Sequence, residues 1–276
     1  MLRGILIGLD GSPYCASALE LGVLWAKQFD ATLVGLGIVD EPTICQSGMA
    51  PIGGSHFKQH RDEAIMGRAR KQVEQFLEQF ALRCGEGKVT SKTLNVVGTP
   101  SEQICLEAQR VDVILLGQQT QFHFATQTEP CETLQKVLKN APRPVVVVPE
   151  TLNHGSSIVI AYDGSLQAAR TLQAFQASGL AATREVHVVS ISSNHEEAVA
   201  HATRGIEFLR LHDIEAQLHA VKTTPSSEVI MEQARHLDAQ LVVMGAYGQS
   251  TLREFFLGSV TRSALHKSTI PLFLYH

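Results

Sequence analysis

Three landmarks recur in the same order in the two halves of this chain, and that repetition limits the possible folds more than any single motif does. "GILIGLDGSPYCASALELG" (4–22) has its counterpart in "SIVIAYDGSLQAARTLQAF" (157–175). "VVGTPSEQICLEAQRVDVILLG" (96–117) matches "AVKTTPSSEVIMEQARHLDAQLVVMG" (220–245), and "APRPVVVVP" (141–149) matches "STIPLFLYH" (268–276). A length of 276 residues suits two domains of ordinary size. The expected division is 1–150 and 156–276, joined near "TLNHGS" (151–156).

Each copy alternates strand and helix. In the second, 158–162 is a short apolar strand, Leu166, Ala169, Leu172 and Phe175 follow at helical spacing, and 186–191 is the next strand. A helix is predicted from about 196 to 212, a strand near 216–221, and final strands at 241–244 and 272–275. Thr224-Pro225 predicts the start of another helix, as Thr99-Pro100 does in the first copy, where Glu102 completes a capping box. Continuous apolar strands separated by crossover helices call for a parallel sheet covered on both faces. The fold class is therefore α/β: two tandem open parallel five-stranded sheets with helices on both faces, Rossmann-like. Ligands of such sheets lie beyond the carboxyl ends of the strands. Both Asp163-Gly164-Ser165 and the stretch after 241–244 fall there.

Composition removes several classes of function. A formal charge of −4 offers no basic excess for nucleic acid. The five cysteines have an odd count and no C-x2-C spacing, which argues against a disulfide framework or a zinc knuckle. No stretch approaches the roughly 18 apolar residues of a membrane span, and the apolar run at the start is too short for a signal-peptide core. A cytoplasmic protein is expected, with neither membrane nor nucleic-acid partners.

The most informative stretch is "GAYGQSTLREFFLGS" (245–259), a G-x2-G-x9-G-S pattern directly after an apolar strand. Glycines at Gly245 and Gly248 can adopt backbone conformations closed to other residues and let a bulky anion approach main-chain N–H groups. Gly258-Ser259 then opens a helix, whose first turn carries unpaired N–H donors and the positive end of the dipole. Ser259 and Thr261 add hydroxyls at that point. Together these residues make a phosphate cradle from backbone rather than from a lysine, unlike G-x4-G-K-[ST].

On these residues, the strand-Asp-Gly-Ser start of each half, "VVMGAYGQSTLREFFLGSVT" and the closing Pro-strand, nearly the whole chain resembles the universal stress protein family in its tandem two-domain form. The resemblance implies ATP as ligand, with or without Mg. It implies that Ala161 and Asp163 line the ribose and adenine side and that Ile191 presents backbone to the base. Met244, Gly245, Gly248, Gly258, Ser259, Val260 and Thr261 would hold the remainder. For Asp163 a helix cap or turn is the alternative role, and one residue can fill both.

The first half departs from the pattern. After Gly117, Thr120 stands at the second glycine and Pro130 or Cys131 at the third, so the cradle is missing although Asp10-Gly11-Ser12 is kept. One nucleotide per chain is expected, with the first half serving structure and partner contacts, by pairing of the halves within the chain or as a homodimer. Its insertion-like segment, 40–60, reads as a flexible loop before a long helix at 58–83, with a lid, partner surface or separate pocket as alternatives.

Other chemistry has weak support. His56 and His60 have i, i+4 spacing without an H-E-x2-H pattern, so no metal site is expected. His195 and His201 read as an exposed helix face. No nucleophile elbow appears. Arg253 and Glu254 stand either near the phosphates or as a surface pair. No general base is evident beside the phosphates, so fast ATP hydrolysis is not expected, while slow turnover stays open. A nucleotide-independent interaction or small-molecule-sensing role is the alternative. An adenylating enzyme would need a second substrate pocket that the sequence does not display.

Overall fold

The computed structural model describes residues 1–46, 55–122, 132–246 and 259–276. These divide into two compact units, Arg3–Pro142 and Arg143–His276, the latter including Met1–Leu2. The first unit contains β1 (Gly4–Leu9), α1 (Pro13–Phe29), β2 (Thr32–Val39), α2 (Glu41–Gln46) and α3 (Ser55–Gly87). It continues with β3 (Ser91–Val97), α4 (Pro100–Glu107), β4 (Val113–Gly117) and α5 (Thr133–Asn140). Its strands are ordered β3-β2-β1-β4, all parallel.

The second unit opens with β5 (Val145–Val148), then β6 (Ser157–Ala161), α6 (Leu166–Ser178), β7 (Glu185–Ser192) and α7 (His195–Arg210). There follow β8 (Gln217–Lys222), α8 (Ser227–His236), β9 (Ala239–Gly245), α9 (Ser259–Lys267) and β10 (Leu272–Tyr275). The order is β5-β10-β9-β6-β7-β8. Every pairing from β10 to β8 is parallel, while β5 runs antiparallel to β10, with Leu272 opposite Val147.

Each half of the sequence carries the expected five strands, β1 to β5 and β6 to β10, but not every pair is parallel, because β5 runs antiparallel to β10. The all-valine strand β5 is fully buried and carries no cue to its partner. Its hydrogen bonds with β10 place it in the second unit.

Burial follows from the sequence pattern. β1 and β4 are apolar along their length and buried almost throughout, as strands covered by helices on both faces must be. β3 and β8 each end their own unit's strand order, and none of their residues is fully buried. In the second unit α6 packs on β9 and β10 beside α7, while α8 lies against α9, forming the two helical layers. Phe175 of α6 meets Phe273 of β10 edge to face, with centroids 5.9 Å apart. The single tryptophan, Trp25, is buried on α1 in the first unit.

Helix starts differ from the sequence expectation at two places. α8 is capped by Ser226, whose hydroxyl accepts from the Val229 N–H at 3.3 Å, so Pro225 precedes the helix rather than opening it. Thr99 does cap α4, but its side chain makes no capping hydrogen bond. The Thr99 carbonyl instead accepts the N–H groups of Glu102 and Gln103, which occupies the donor that a capping box would use. In the segment 40–60, six residues form α2, and α3 begins at Ser55, three residues before the expected start. Val39, Ile44, Met66, Ala69 and Val73 share one apolar cluster, and this burial explains why a Pro-containing stretch folds as helix.

Candidate functional site

β6 ends at Ala161, and the next residues turn the chain into α6. Asp163 Oδ1 accepts the Ser165 N–H at 3.0 Å, and Ser165 Oγ accepts the Ala168 N–H at 3.2 Å. Ser165 is therefore the cap and Asp163 the turn former, exposed at the strand end. Gly164 has φ +74°, a conformation that favours glycine, and an added Cβ would lie 2.8 Å from His201. His201 reaches this point from α7, which makes it a wall of the site rather than part of an exposed face; His195, six residues earlier, is exposed as expected.

On one side of β6 lies the carboxyl end of β7. The Val189 carbonyl accepts the Tyr162 N–H at 3.0 Å, whereas the Ser192 carbonyl accepts the Thr223 N–H at 3.0 Å from the β8 side. Parallel strands present the N–H and C=O of alternate residues to alternate neighbours. Ile191 therefore turns both groups toward β6, beyond the point where that strand has ended. Its side chain is core, 8% exposed, and its backbone faces the crevice.

On the other side lies β9. Gly245, its last residue, is not in a left-handed conformation; an added Cβ would come within 3.1 Å of Gln167 Cβ and 3.2 Å of the Ala168 nitrogen. Its missing side chain admits the start of α6. The same device appears in the first unit, where a Cβ on Gly117 would lie 2.6 Å from Tyr14 Cβ. Close helix packing explains why this glycine is found in both halves although the later ones are not. Thr261, in the first turn of α9, donates its hydroxyl to the Gly245 carbonyl at 3.1 Å, fixing the helix start against the strand end. Lys267 at the far end of α9 bonds Glu228 of α8 at 2.8 Å. That hydrogen bond is the main cause holding the Glu228 carboxyl down to about 2.

Between these walls is a cavity of about 430 Å³. Of the residues expected at the site, Ala161, Asp163, Ile191, Met244, Gly245, Val260 and Thr261 line it together. Ser259 contributes the first residue of α9. Gly248, Gly258, Arg253 and Glu254 lie outside the described residues, as do Pro130 and Cys131 of the first half. The cavity has further walls that sequence reasoning missed: Tyr162, Ser192, Glu197, His201, Pro225 and Ile230 among them. Burial raises the Tyr162 phenol, the Asp163 charge adds to this and Arg204 opposes it. No spacing in the sequence reveals Glu197 or His201, because α7 joins the site only through tertiary packing.

In the first unit the corresponding aspartate, Asp10, is bonded by the chain itself. Asp10 Oδ1 accepts from the Ser12 N–H at 3.0 Å and the Ser12 hydroxyl at 2.7 Å, and Oδ2 accepts the Gln121 N–H at 2.6 Å. Asp10 is 4% exposed, and burial pushes its carboxyl up while the Ser12 and Gln121 bonds pull it down. Phe122 packs against Gly8, and Phe76 of α3 covers Gly11 where His201 covers Gly164. Thr120, at the seat of the missing second glycine, is buried. Among the described residues no group of three or more His, Cys, Asp or Glu is arranged to hold a metal, and no helix is long and apolar enough to cross a membrane.

Two copies of a parallel-sheet α/β unit, one with a crevice bounded by β6, β7, β9 and α9, define a tandem Rossmann-like protein. The model of the universal stress protein family matches residues 1–149 and 156–276, so the chain belongs to that family. It is 26% identical over 195 residues to universal stress protein Slr1230 of Synechocystis, covering 66% of this chain and 68% of that one. It is 27% identical over 116 residues to universal stress protein YxiE of Bacillus subtilis, covering 42% and 77%. A crystal structure of a universal stress protein from Archaeoglobus fulgidus superposes with a TM-score of 0.74 over 99% of this chain and 97% of that one. At 19% identity this last likeness is one of fold.

Proposed function

We propose that this universal stress protein binds one adenine nucleotide, ATP, in the crevice of its second half, and acts as a stress-response or regulatory protein without fast turnover. The observation that carries this reading is the contrast between two equivalent places. One is a cavity of about 430 Å³, within the range of small-molecule sites, with backbone groups at β7 and a helix start at β9. In the other, the Asp10 carboxylate is already bonded by the Gln121 N–H at 2.6 Å and by Ser12.

The residues of the second site fit a nucleotide. The vacated edge of Ile191 offers one donor and one acceptor, the pair an adenine edge requires. Asp163, with one oxygen held by Ser165, has acceptor capacity for ribose hydroxyls. The first turn of α9 presents N–H donors and a favourable dipole to phosphate, with Val260 and Thr261 at that turn and Gly248 and Gly258 preceding it in sequence. A bound triphosphate would bring its charge, and Mg when present, to that end. The acidic side chains lining the cavity, Asp163 and Glu197, come from the turn after β6 and from α7, not from α9. Rapid hydrolysis is therefore not expected.

Native mass spectrometry of the full chain with saturating ATP tests the reading. One nucleotide per chain is expected, lost in Gly258→Val. An empty chain, or two nucleotides per chain, would overturn it.

A further inference from the structure

β7 ends at Ser192 and α7 starts at His195, so the connection is only two residues long. That shortness brings the first turn of α7 over the carboxyl end of β7. There a small relay forms. Asn194 caps α7 by accepting the Glu196 N–H at 3.0 Å, Ser192 Oγ accepts the Asn194 N–H at 3.1 Å, and Ser192 Oγ donates to Glu197 Oε2 at 2.5 Å. One carboxylate oxygen of Glu197 is thereby fixed. The other has no partner among the described residues, and the side chain borders the cavity next to Ile191.

The strand order β9-β6-β7 places Gly245 and Thr261 at one end of the crevice and Ile191, Ser192 and Glu197 at the other, two strand spacings or about 10 Å apart. With phosphates at the start of α9, a nucleotide lies across the end of β6 and its base arrives at β7. A carboxylate only accepts hydrogen bonds. We infer that Glu197 reads the base edge, admitting a purine that presents an exocyclic amino group and rejecting one that presents a carbonyl at the same position. Adenine satisfies this and hypoxanthine does not. The inference rests on the nucleotide reading above and assigns its base selectivity to a side chain as well as to backbone.

Glutamine has the same shape but can turn its amide to donate or accept, so Glu197→Gln separates the two purines. Isothermal titration of the full chain with ATP and with ITP measures the preference. The wild-type chain is expected to favour ATP, and Glu197→Gln to shrink that preference about tenfold, chiefly by gaining affinity for ITP. Ser192→Ala, which releases the carboxylate without removing it, is expected to shrink the preference less. An unchanged ratio in Glu197→Gln would overturn the inference while leaving ATP binding intact. Equal loss of both nucleotides in Glu197→Gln would also overturn it, showing a structural role. A wild-type chain that takes neither nucleotide would refute the nucleotide reading itself, and base selection with it.

Discussion

Asp10 and Asp163 hold equivalent positions after the first strand of each copy, yet their surroundings predict different consequences for the same substitution. Asp10→Ala removes the acceptor for three donors: the Ser12 N–H, the Ser12 hydroxyl and the Gln121 N–H. Hydrogen bonds to a charged group contribute about 1.5–3 kcal/mol each, and loss of a buried carboxylate returns part of this because its desolvation is relieved. A net destabilisation of about 3 kcal/mol follows. With a urea dependence of about 2 kcal/mol/M, the midpoint of the first unit moves down by about 1.5 M. Trp25, the only tryptophan, sits in that unit, so its fluorescence reports this transition. Asp163→Ala breaks one bond of an exposed carboxylate and should move the midpoint of the second unit, followed by circular dichroism because Trp25 lies in the first, by less than about 0.5 M, while weakening ATP binding. Equal midpoint shifts for the two variants would refute the reasoning, because burial and the Gln121 latch would then have no energetic weight.

Further outcomes can be checked in the same system. His201→Phe installs in the second unit the residue type that covers Gly11 in the first; it should abolish ATP binding in native mass spectra with little loss of stability. Gly117→Ala should cost more stability than Gly245→Ala, since the added Cβ would meet Tyr14 at 2.6 Å in one case and Gln167 at 3.1 Å in the other; scanning calorimetry ranks them. His187 Nδ1 lies 3.1 Å from His219 Nε2 across β7 and β8, and burial first, then His187, lowers the His219 pKa. A lowered folded value means that the unfolded chain binds the proton more readily. This contribution to stability is full above pH 6.5 and is lost as pH falls from there through the lowered value. Urea midpoints measured from pH 7.5 down to 5 should show this fall, and His219→Gln should flatten it. Burial pushes the Cys15 thiol up to about 12, so it should resist thiol reagents in the native state, while exposed Cys45 reacts; labelled-peptide mass spectrometry distinguishes them.

Much of the scaffold was legible because its determinants are local. Apolar runs such as 113–116 and 158–160 carry their own burial, and Asp-Gly-Ser fixes a turn, a positive φ and a helix cap within three residues in both halves. Seven of the residues singled out from sequence line one cavity because strand ends in a parallel sheet converge. The antiparallel pairing of β5 with β10 was not legible, because four valines fit any buried strand and the choice of β10 as neighbour is made over more than a hundred residues of separation. Thr224-Pro225 misled for the opposite reason, since Ser226 offers an equally good local cap and packing decides between them.

The amino-acid order by itself settled the duplication, the α/β class and the pattern that separates the two halves at Thr120 and Gly248. Only the folded chain decided which side chains complete each crevice. In the first, Phe76 covers Gly11 and the Gln121 N–H holds Asp10; in the second, His201 and Glu197 wall the cavity, all brought in from segments distant in sequence. The physical reason is range: turn stereochemistry and periodicity act within a few residues, whereas the contents of a crevice depend on which distant helix face the packed sheet brings over it.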